Sequence, residues 1–315
     1  MIGGIVLCAG YGTRLRPITD EVPKPAIPFL GKPMVWYALR ALKIAGVTQI
    51  AVNLCHLPDA MSQAVCACCR DLGLEGIAFS REVGEIRGTG GGAAACARLL
   101  PSCDRFIIYH GDVLSGGDLA HALESHVRSG ALVSMVVSPR WEGCRLGMIE
   151  TCAGDVVRIR DWCSPRVHQK SDSVCEPRCF TGIHIVEREV LESIPESGYT
   201  CLVTEIYRCM LEAGERIHAC EDASFFADVG TPETYLAAQR RILENPDLLP
   251  GVEVVFRSRV ESSEILDPVF GDETCTCRYS MVGPNVCLSQ GATILHENVA
   301  NCMAFGRWRL LADGA

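Results

Sequence analysis

Apolar residues fall in short runs broken by polar or glycine-rich segments, and the runs alternate between two periods. Residues 5–7, 50–54, 77–80 and 106–109 read as buried strands. Between them, helical spacing runs over 34–45, where Gly46 supplies a stop, over 60–72 and over 93–100. Strands alternating with helices predict right-handed crossovers and a mostly parallel sheet. From 131 to 194 strands and breakers dominate, and 162–177 reads as a polar loop. A helix over 202–212, a strand over 224–227 and a helix over 232–243 follow, before Asn245-Pro246 and Leu249-Pro250-Gly251 mark a boundary.

Beyond that boundary the period becomes six. Phe270, Thr276, Val282, Leu288 and Ile294 share one phase, Gly271, Cys277, Gly283, Ser289 and Leu295 follow them, and Thr274, Ser280, Val286, Ala292 and Asn298 hold the fifth place. Small residues at a fixed phase of a hexad point to coils stacked as a β-helix, with a plain β-hairpin region as the alternative. The expected fold is α/β: a Rossmann-like mixed, mostly parallel sheet flanked by helices over 1–249, then a short left-handed β-helix of hexapeptide repeats over 250–315.

Composition narrows the classes. With 315 residues, 48% hydrophobic and 21% charged, the chain has enough apolar content for a sizeable core. A formal charge of -9 argues against a broad grip on nucleic acid, which needs dense cations facing the phosphates. No run reaches the roughly 18 apolar residues of a spanning helix, and the apolar start lacks the basic region of a secretory signal, so no membrane partner and a cytoplasmic location are expected. The 19 cysteines lack a paired zinc-finger spacing: Cys66-Ala67-Cys68-Cys69 and Cys275-Thr276-Cys277 have no distal partners, and small buried hydrophobes such as Cys8 and Cys287 explain them better. Only four residues are lysines, and Lys24 and Lys32 fall in the N-terminal segment, where a compact ammonium was used rather than a guanidinium.

The segment after the first strand, Ala9-Gly10-Tyr11-Gly12-Thr13-Arg14, places backbone N–H groups in a glycine bend suited to phosphate. Arg14, Arg16 and Lys24 lie within a few turns of it, and Pro17, Pro23, Pro25 and Pro28 stiffen the stretch, a combination suited to a polyphosphate. Asp112 and Asp228 each follow an apolar strand, so both carboxylates emerge where open α/β sheets bind ligands, and two hard oxygen donors there suit Mg²⁺; a turn residue or, for Asp228, a cap of the helix at Pro232 is the alternative.

The run 7–19 with Pro23-Lys24-Pro25 and Gly31-Lys32-Pro33-Met34 resembles the signature of the sugar-phosphate nucleotidyltransferases, the NDP-sugar pyrophosphorylases. Gly88-Thr89-Gly90-Gly91-Gly92, His110-Gly111-Asp112-Val113, Phe180-Thr181-Gly182-Ile183 and Asp228-Val229-Gly230-Thr231-Pro232-Glu233 are similar to later motifs of that family, in order. The resemblance covers about 1–245, and the hexads resemble the tail of mannose-1-phosphate guanylyltransferase-like members. It implies transfer of a nucleoside monophosphate from a nucleoside triphosphate to a sugar 1-phosphate. By the same resemblance, Ala9, Gly10, Gly12, Thr13, Arg14, Gly88 and Thr89 hold the nucleotide, Arg14, Lys24 and Asp112 are catalytic, Asp112 and Asp228 bind the metal, and Gly147, Thr181 and Gly182 hold the sugar phosphate.

Three departures limit the resemblance. Glu82 or Val83 stands where some relatives carry a base-reading Gln, so the base stays open between guanylyl transfer and uridylyl transfer as in N-acetylmuramate 1-phosphate uridylyltransferase-like members. Arg160-Asp161-Trp162 replaces a Glu-Lys-Pro motif, leaving Arg158 or Arg160 as substitute cations or as plain strand arginines. His110 stands where many relatives carry Asn and is given no catalytic role. A noncatalytic sugar-nucleotide-binding relative is the alternative of a different class, and a homo-oligomer is compatible with either reading.

Overall fold

The computed structural model describes residues 1–30, 32–139, 148–166 and 174–252, with five short strands further on. β1 (Ile2–Leu7) leads into three short 3-10 turns, at Thr13–Leu15, Ile18–Asp20 and Lys24–Ala26, and a small ribbon of β2 (Pro28–Phe29) and β3 (Lys32–Pro33). Next come α1 (Met34–Ile44), β4 (Gln49–Leu54), α2 (Pro58–Leu72), β5 (Ala78–Arg81), α3 (Gly88–Arg98) and β6 (Arg105–His110), which is the predicted alternation. β7 (Val113–Ser115), α4 (Leu119–Ser129), β8 (Val133–Ser138), β9 (Met148–Cys152), β10 (Asp155–Ile159), β11 (Trp162–Cys163) and β12 (Glu176–Glu187) follow. The last elements before the boundary are α5 (Arg188–Glu192), a π-helical turn (Leu202–Tyr207) running into α6 (Arg208–Glu212), β13 (Ile217–Glu221), β14 (Phe226–Asp228) and α7 (Pro232–Glu244).

The main sheet has the order β11-β10-β13-β8-β12-β6-β1-β4-β5, with β9 beside β10 and β12. Its N-terminal half is parallel: β1 pairs with β4 and β6, and β4 with β5. Beyond β6 the expectation of a mostly parallel sheet fails, because the long β12 runs antiparallel to β6, β8 and β9, and β10 runs antiparallel to its neighbours. Hairpin-like links over 148–163 allow antiparallel pairing, whereas β1, β4 and β6 are joined through helices that enforce parallel crossovers.

Both faces of the sheet are covered. Ile5 and Val6, adjacent and fully buried, point to opposite faces and belong to two separate apolar clusters. One cluster gathers Leu39 of α1 and Ile242 of α7, the other Ala94 of α3 and Leu211 of α6. Each large apolar side chain among them contributes roughly 1.5–3 kcal/mol relative to exposure. Several thiols serve the same end: Cys8 and Cys68 lie in one cluster and Cys96 and Cys103 in the other, and burial pushes the Cys68 thiol up to about 12. Among the described residues no group of three or more His, Cys, Asp or Glu side chains is arranged to hold a metal, and no helix is long and apolar enough to cross a membrane.

One helix and one loop differ from expectation. α3 begins at Gly88 rather than at residue 93, although each interior glycine costs a helix about 1 kcal/mol relative to alanine. The Thr200 carbonyl offsets that cost by accepting from the Gly90 and Gly91 N–H groups, at 2.8 and 3.3 Å. The polar stretch 162–177 is not a simple loop, since β11 and the first residues of β12 lie in it.

In the C-terminal part the described strands are β15 (Glu264–Ile265), β16 (Thr276–Arg278), β17 (Met281–Val282), β18 (Thr293–Leu295) and β19 (Asn298–Val299). They pair in parallel, with Glu264 opposite Met281, Met281 opposite Asn298 and Thr276 opposite Thr293, a step of 17 residues each time. Three hexads would step by 18, so the shared phase of Thr276 and Ile294 slips by one: Ile294 faces Cys277. Phe270, Leu288 and Cys287 lie outside the described residues.

Three histidines that do not line the cleft favour the neutral form, although the His184 ring packs against His110 of its lining at 5.8 Å. Desolvation holds His126, His184 and His218 below the ordinary imidazole value, His184 furthest, against Phe180 and with Nδ1 2.9 Å from the Tyr207 hydroxyl. With the folded value below the unfolded one, the unfolded chain binds more protons at acid pH, so stability present above the unfolded value of about 6.5 is lost as pH falls through it. The urea midpoint should therefore be flat from about pH 8 to 7 and drop below about 6.5. His184→Gln should make that drop shallower, and an unchanged slope would contradict the assignment.

Candidate active site

A cleft of about 240 Å³ opens at the carboxyl ends of β1, β4 and β6. Parallel strands bring three segments together there: Cys8 to Gly10 after β1, Asn53 near the end of β4, and the last residue of β6, His110, with Asp112 beyond it. Ala9, Gly10, Lys24, Gly88, Thr89 and Asp112 line it, six of the residues expected from the sequence.

Two glycines of the first loop differ in what packing demands of them. Gly12 adopts φ +63°, and a Cβ there would meet Thr19 at 2.8 Å and the Lys24 Cβ at 3.0 Å. Its carbonyl accepts from the Thr19 hydroxyl at 2.9 Å and from the Leu15 N–H at 2.9 Å, which folds the loop back onto the Lys24 turn. A Cβ on Gly10 would meet no protein atom within 4 Å, so packing sets no such demand there, and its exposed backbone lines the cleft. Thr13 and Arg14 are exposed beyond the cleft lining. The Arg14 guanidinium lies over the Gly230 backbone, where a Cβ would come within 2.7 Å of it, and its charge reaches Asp228.

Asp112 and Asp228 converge, though not as two strand ends of one sheet. Asp112 does follow β6, but Asp228 closes β14, which pairs only with β7 among the described strands, so that Asp228 stands opposite Val113. A Val229 N–H to Asp112 carbonyl bond of 3.3 Å completes the ribbon. Asp228 does not cap α7, because Thr231 takes that role by accepting from the Thr234 N–H.

Between the carboxylates sits the Lys24 ammonium, its side chain only 8% exposed, hydrogen-bonded to Asp112 and 3.9 Å from Asp228. Burial raises the Asp112 carboxyl, but Lys24 and His110 outweigh it and leave it below its ordinary value. Asp228 is raised by burial and then by the charge of Asp112, against the opposing pull of Lys24 and Arg14. Two acids therefore share one buried cation. His110 lines the cleft beside them, held neutral by burial and with its Nε2 unpartnered.

The glycines of α3 serve the protein as much as any ligand. Gly88 has φ +74°, and a Cβ there would meet the Thr200 carbonyl oxygen at 2.4 Å. The Thr89 hydroxyl accepts from the Leu202 N–H at 2.9 Å. The segment around Thr200 is thus fastened to the start of α3, and it presents Tyr199, 64% exposed, to the cleft. At the expected base-reading place, Val83 is 94% exposed, whereas Glu82 is buried with both carboxylate oxygens hydrogen-bonded.

On the acceptor side, Thr181 and Gly182 do not line the cleft. Thr181 is buried and donates its hydroxyl to the Val136 carbonyl at 2.8 Å, while Gly182, at φ +84°, lies in the irregular register between β12 and β8. Gly147 lies outside the described residues. Arg158 pairs with Glu150 at 3.0 Å, and Arg160 lies over the Trp162 ring at 6.0 Å; neither lines the cleft. Sequence reasoning missed Asn53, Ile86 and Tyr199 as lining residues. Only Asn53 carried a signal, a polar side chain inside an otherwise apolar buried run.

A family model described as Nucleotidyl transferase matches residues 3–245. A mannose-1-phosphate guanylyltransferase of Mycobacterium tuberculosis is 32% identical over 240 residues, covering 75% of this chain and 63% of its own length, so the chain spans less than two thirds of that relative. A UTP--glucose-1-phosphate uridylyltransferase of Synechocystis sp. is 28% identical, with 98% of this chain and 85% of the relative covered. Among solved structures, the inositol-1-phosphate CTP transferase from T. maritima superposes with a TM-score of 0.59 at 20% identity, covering 77% of this chain and 96% of that one, a likeness of fold.

Proposed function

The chain belongs to the nucleotidyl transferase family, and on that premise we propose that it transfers a nucleoside monophosphate from a nucleoside triphosphate to a sugar 1-phosphate, releasing pyrophosphate. The observation that carries the reading is the buried Lys24 ammonium held between Asp112 and Asp228 beside the glycine loop. An oxygen of the sugar phosphate attacks the α-phosphorus as the bond to pyrophosphate breaks, and no protein atom becomes bonded to the nucleotide. Such a displacement asks for positioning and charge stabilisation rather than a nucleophile. The loop at Ala9 and Gly10 offers backbone N–H groups and open space to the phosphates, with Gly12 and Thr13 shaping the bend. Lys24 and Arg14 bring positive charge from two sides, and Gly88 and Thr89 border the nucleoside. Thr181 and Gly182, on β12, are assigned to the acceptor side, with the Thr181 hydroxyl bonded to the Val136 carbonyl.

Relatives in this family use divalent cations, and the residues here fit one. Two hard carboxylate donors flank the buried ammonium, and Asp228 is held above its ordinary value by burial and then by the charge of Asp112. No third acidic or imidazole ligand joins them among the described residues, which suits Mg²⁺, an ion that keeps phosphate and water oxygens in its shell. Bound by Asp112 and Asp228, the ion would neutralise charge on the phosphates.

Guanylyl transfer to mannose 1-phosphate is the favoured pair, supported by the mycobacterial likeness. Uridylyl transfer is the second reading, supported by the longer match to the uridylyltransferase. The parallel 17-residue stacking of β15 to β19 supports a separate β-helical unit over 250–315. A pyrophosphate-release screen of GTP, UTP, dTTP, CTP and ATP against a panel of sugar 1-phosphates with Mg²⁺ should give one dominant pair. Silence with every pair would favour a binding-only protein.

A further inference from the structure

Asn53 and Glu82 are buried polar side chains, 3% and 7% exposed, that no step of the proposed transfer uses. They form one continuous chain of hydrogen bonds across the base of the cleft. The Cys8 N–H, in the loop after β1, donates to Asn53 Oδ1 at 2.6 Å. Asn53 Nδ2 donates to Glu82 Oε1 at 2.8 Å, and Glu82 Oε2 accepts from the Arg87 N–H, in the turn before α3, at 2.8 Å. The orientation is chemically forced. A backbone N–H only donates, so the amide oxygen must face Cys8 and the amide nitrogen must face the carboxylate. The chain needs a group that only accepts, because donors reach Glu82 from both sides.

The surroundings are shaped for this relay. Asn53 sits on the strand between its two ends, paired with Leu7 of β1 and with Ser80 of β5. Gly92 leaves it room: a Cβ there would meet Asn53 Nδ2 at 2.5 Å and Glu82 Oε1 at 2.9 Å. A glycine deep in a helix and a buried carboxylate both cost stability, and both are explained if the bond chain they permit is what holds the two cleft walls at a fixed spacing.

We propose that Asn53 and Glu82 are positioning residues that lock the phosphate-side loop to the turn before α3, and so set the cleft's fit to a nucleotide. The inference rests on the reading of this cleft as a nucleotide site, and its test separates the two. Glu82→Gln offers one oxygen to two donors, so one of the three bonds must be lost. The double variant Asn53→Asp with Glu82→Gln restores all three at the same net charge. Its new carboxylate, on β4, would accept from the Cys8 N–H and from the new amide, whose oxygen would accept from the Arg87 N–H.

Direct titration of GTP and of UTP, each with Mg²⁺, should show binding weakened about tenfold in Glu82→Gln, the scale of one hydrogen bond to a charged group, and returned to within about twofold of wild type in the double variant. The KM for the sugar phosphate should stay unchanged in both. Hydrogen exchange in segments 5–12 and 83–90 should quicken in Glu82→Gln and slow again in the double variant. Normal nucleotide binding by Glu82→Gln, or a double variant no better than the single, overturns the proposal even if the thermal midpoint falls. If wild type binds none of GTP, UTP, dTTP, CTP and ATP, the nucleotide reading fails, and with it the proposed positioning role; exchange at the two segments then still decides whether the bond chain itself exists.

Discussion

Replacing Lys24 with methionine is expected to lower kcat by about a thousandfold, the scale seen when a cation or donor aimed at developing phosphate charge is removed. Methionine keeps most of the stem that packs against the Gly12 turn and removes only the ammonium. The loss reaches beyond catalysis, because Lys24 is the cation between Asp112 and Asp228. Breaking a buried pair by removing one partner costs about 3–5 kcal/mol, and part of that is recovered if Asp228, already raised by burial and by Asp112, takes up a proton. The variant should therefore melt lower than wild type, most clearly at alkaline pH, where both acids are ionised. Lys24→Arg should not restore the rate, since a planar fork demands more room than a compact ammonium with 8% of its side chain exposed. Pyrophosphate release and thermal melts of the two variants decide the matter; a kcat within about tenfold of wild type would contradict the role given to Lys24.

Asp112→Asn is expected to cut turnover by about a hundredfold or more while leaving the fold intact. Asparagine matches the shape of aspartate, so the turn after β6 and the Val229 contact to the Asp112 carbonyl survive. What disappears is the charge. Lys24 then has Asp228, 3.9 Å away, as its remaining acidic neighbour, and a divalent cation loses one of its two carboxylates. The apparent affinity for Mg²⁺, read from turnover against cation concentration, should fall together with the maximal rate. Near-normal activity with an unchanged Mg²⁺ curve would remove Asp112 from the metal site.

The first half of the fold was legible because its buried strands are mostly apolar runs and α1 and α2 have a clear period, whereas the glycine-rich start of α3 carries none. The apolar run 106–109, for example, predicts the strand that spans Arg105–His110. Further on, β12 begins with Glu176, Pro177 and Arg178, exposed or half-buried residues that carry no strand pattern, and only its later residues are apolar and covered. Antiparallel pairing could not be foreseen from periodicity, since it depends on where the chain returns. The candidate site was legible where a motif carries local chemistry, as in Gly12, whose positive φ forces glycine, and in Lys24. The apolar pair before Asp228 suggests a strand of the main sheet, whereas tertiary pairing puts that strand in a ribbon with β7. Asn53 and Glu82 lie 29 positions apart and meet only because β4 and β5 are neighbours, so no local pattern could join them. Thr181 shows the converse: its motif was visible, but its hydroxyl is committed to Val136 inside the sheet.

Direct displacement at the α-phosphorus is tested most directly by following pyrophosphate from the nucleoside triphosphate chosen by the screen, with and without its sugar 1-phosphate. Release should require the sugar phosphate, match the NDP-sugar formed one for one, and vanish in Lys24→Met. A burst of pyrophosphate equal to the enzyme concentration when the sugar phosphate is omitted would show a nucleotidylated protein and contradict direct transfer.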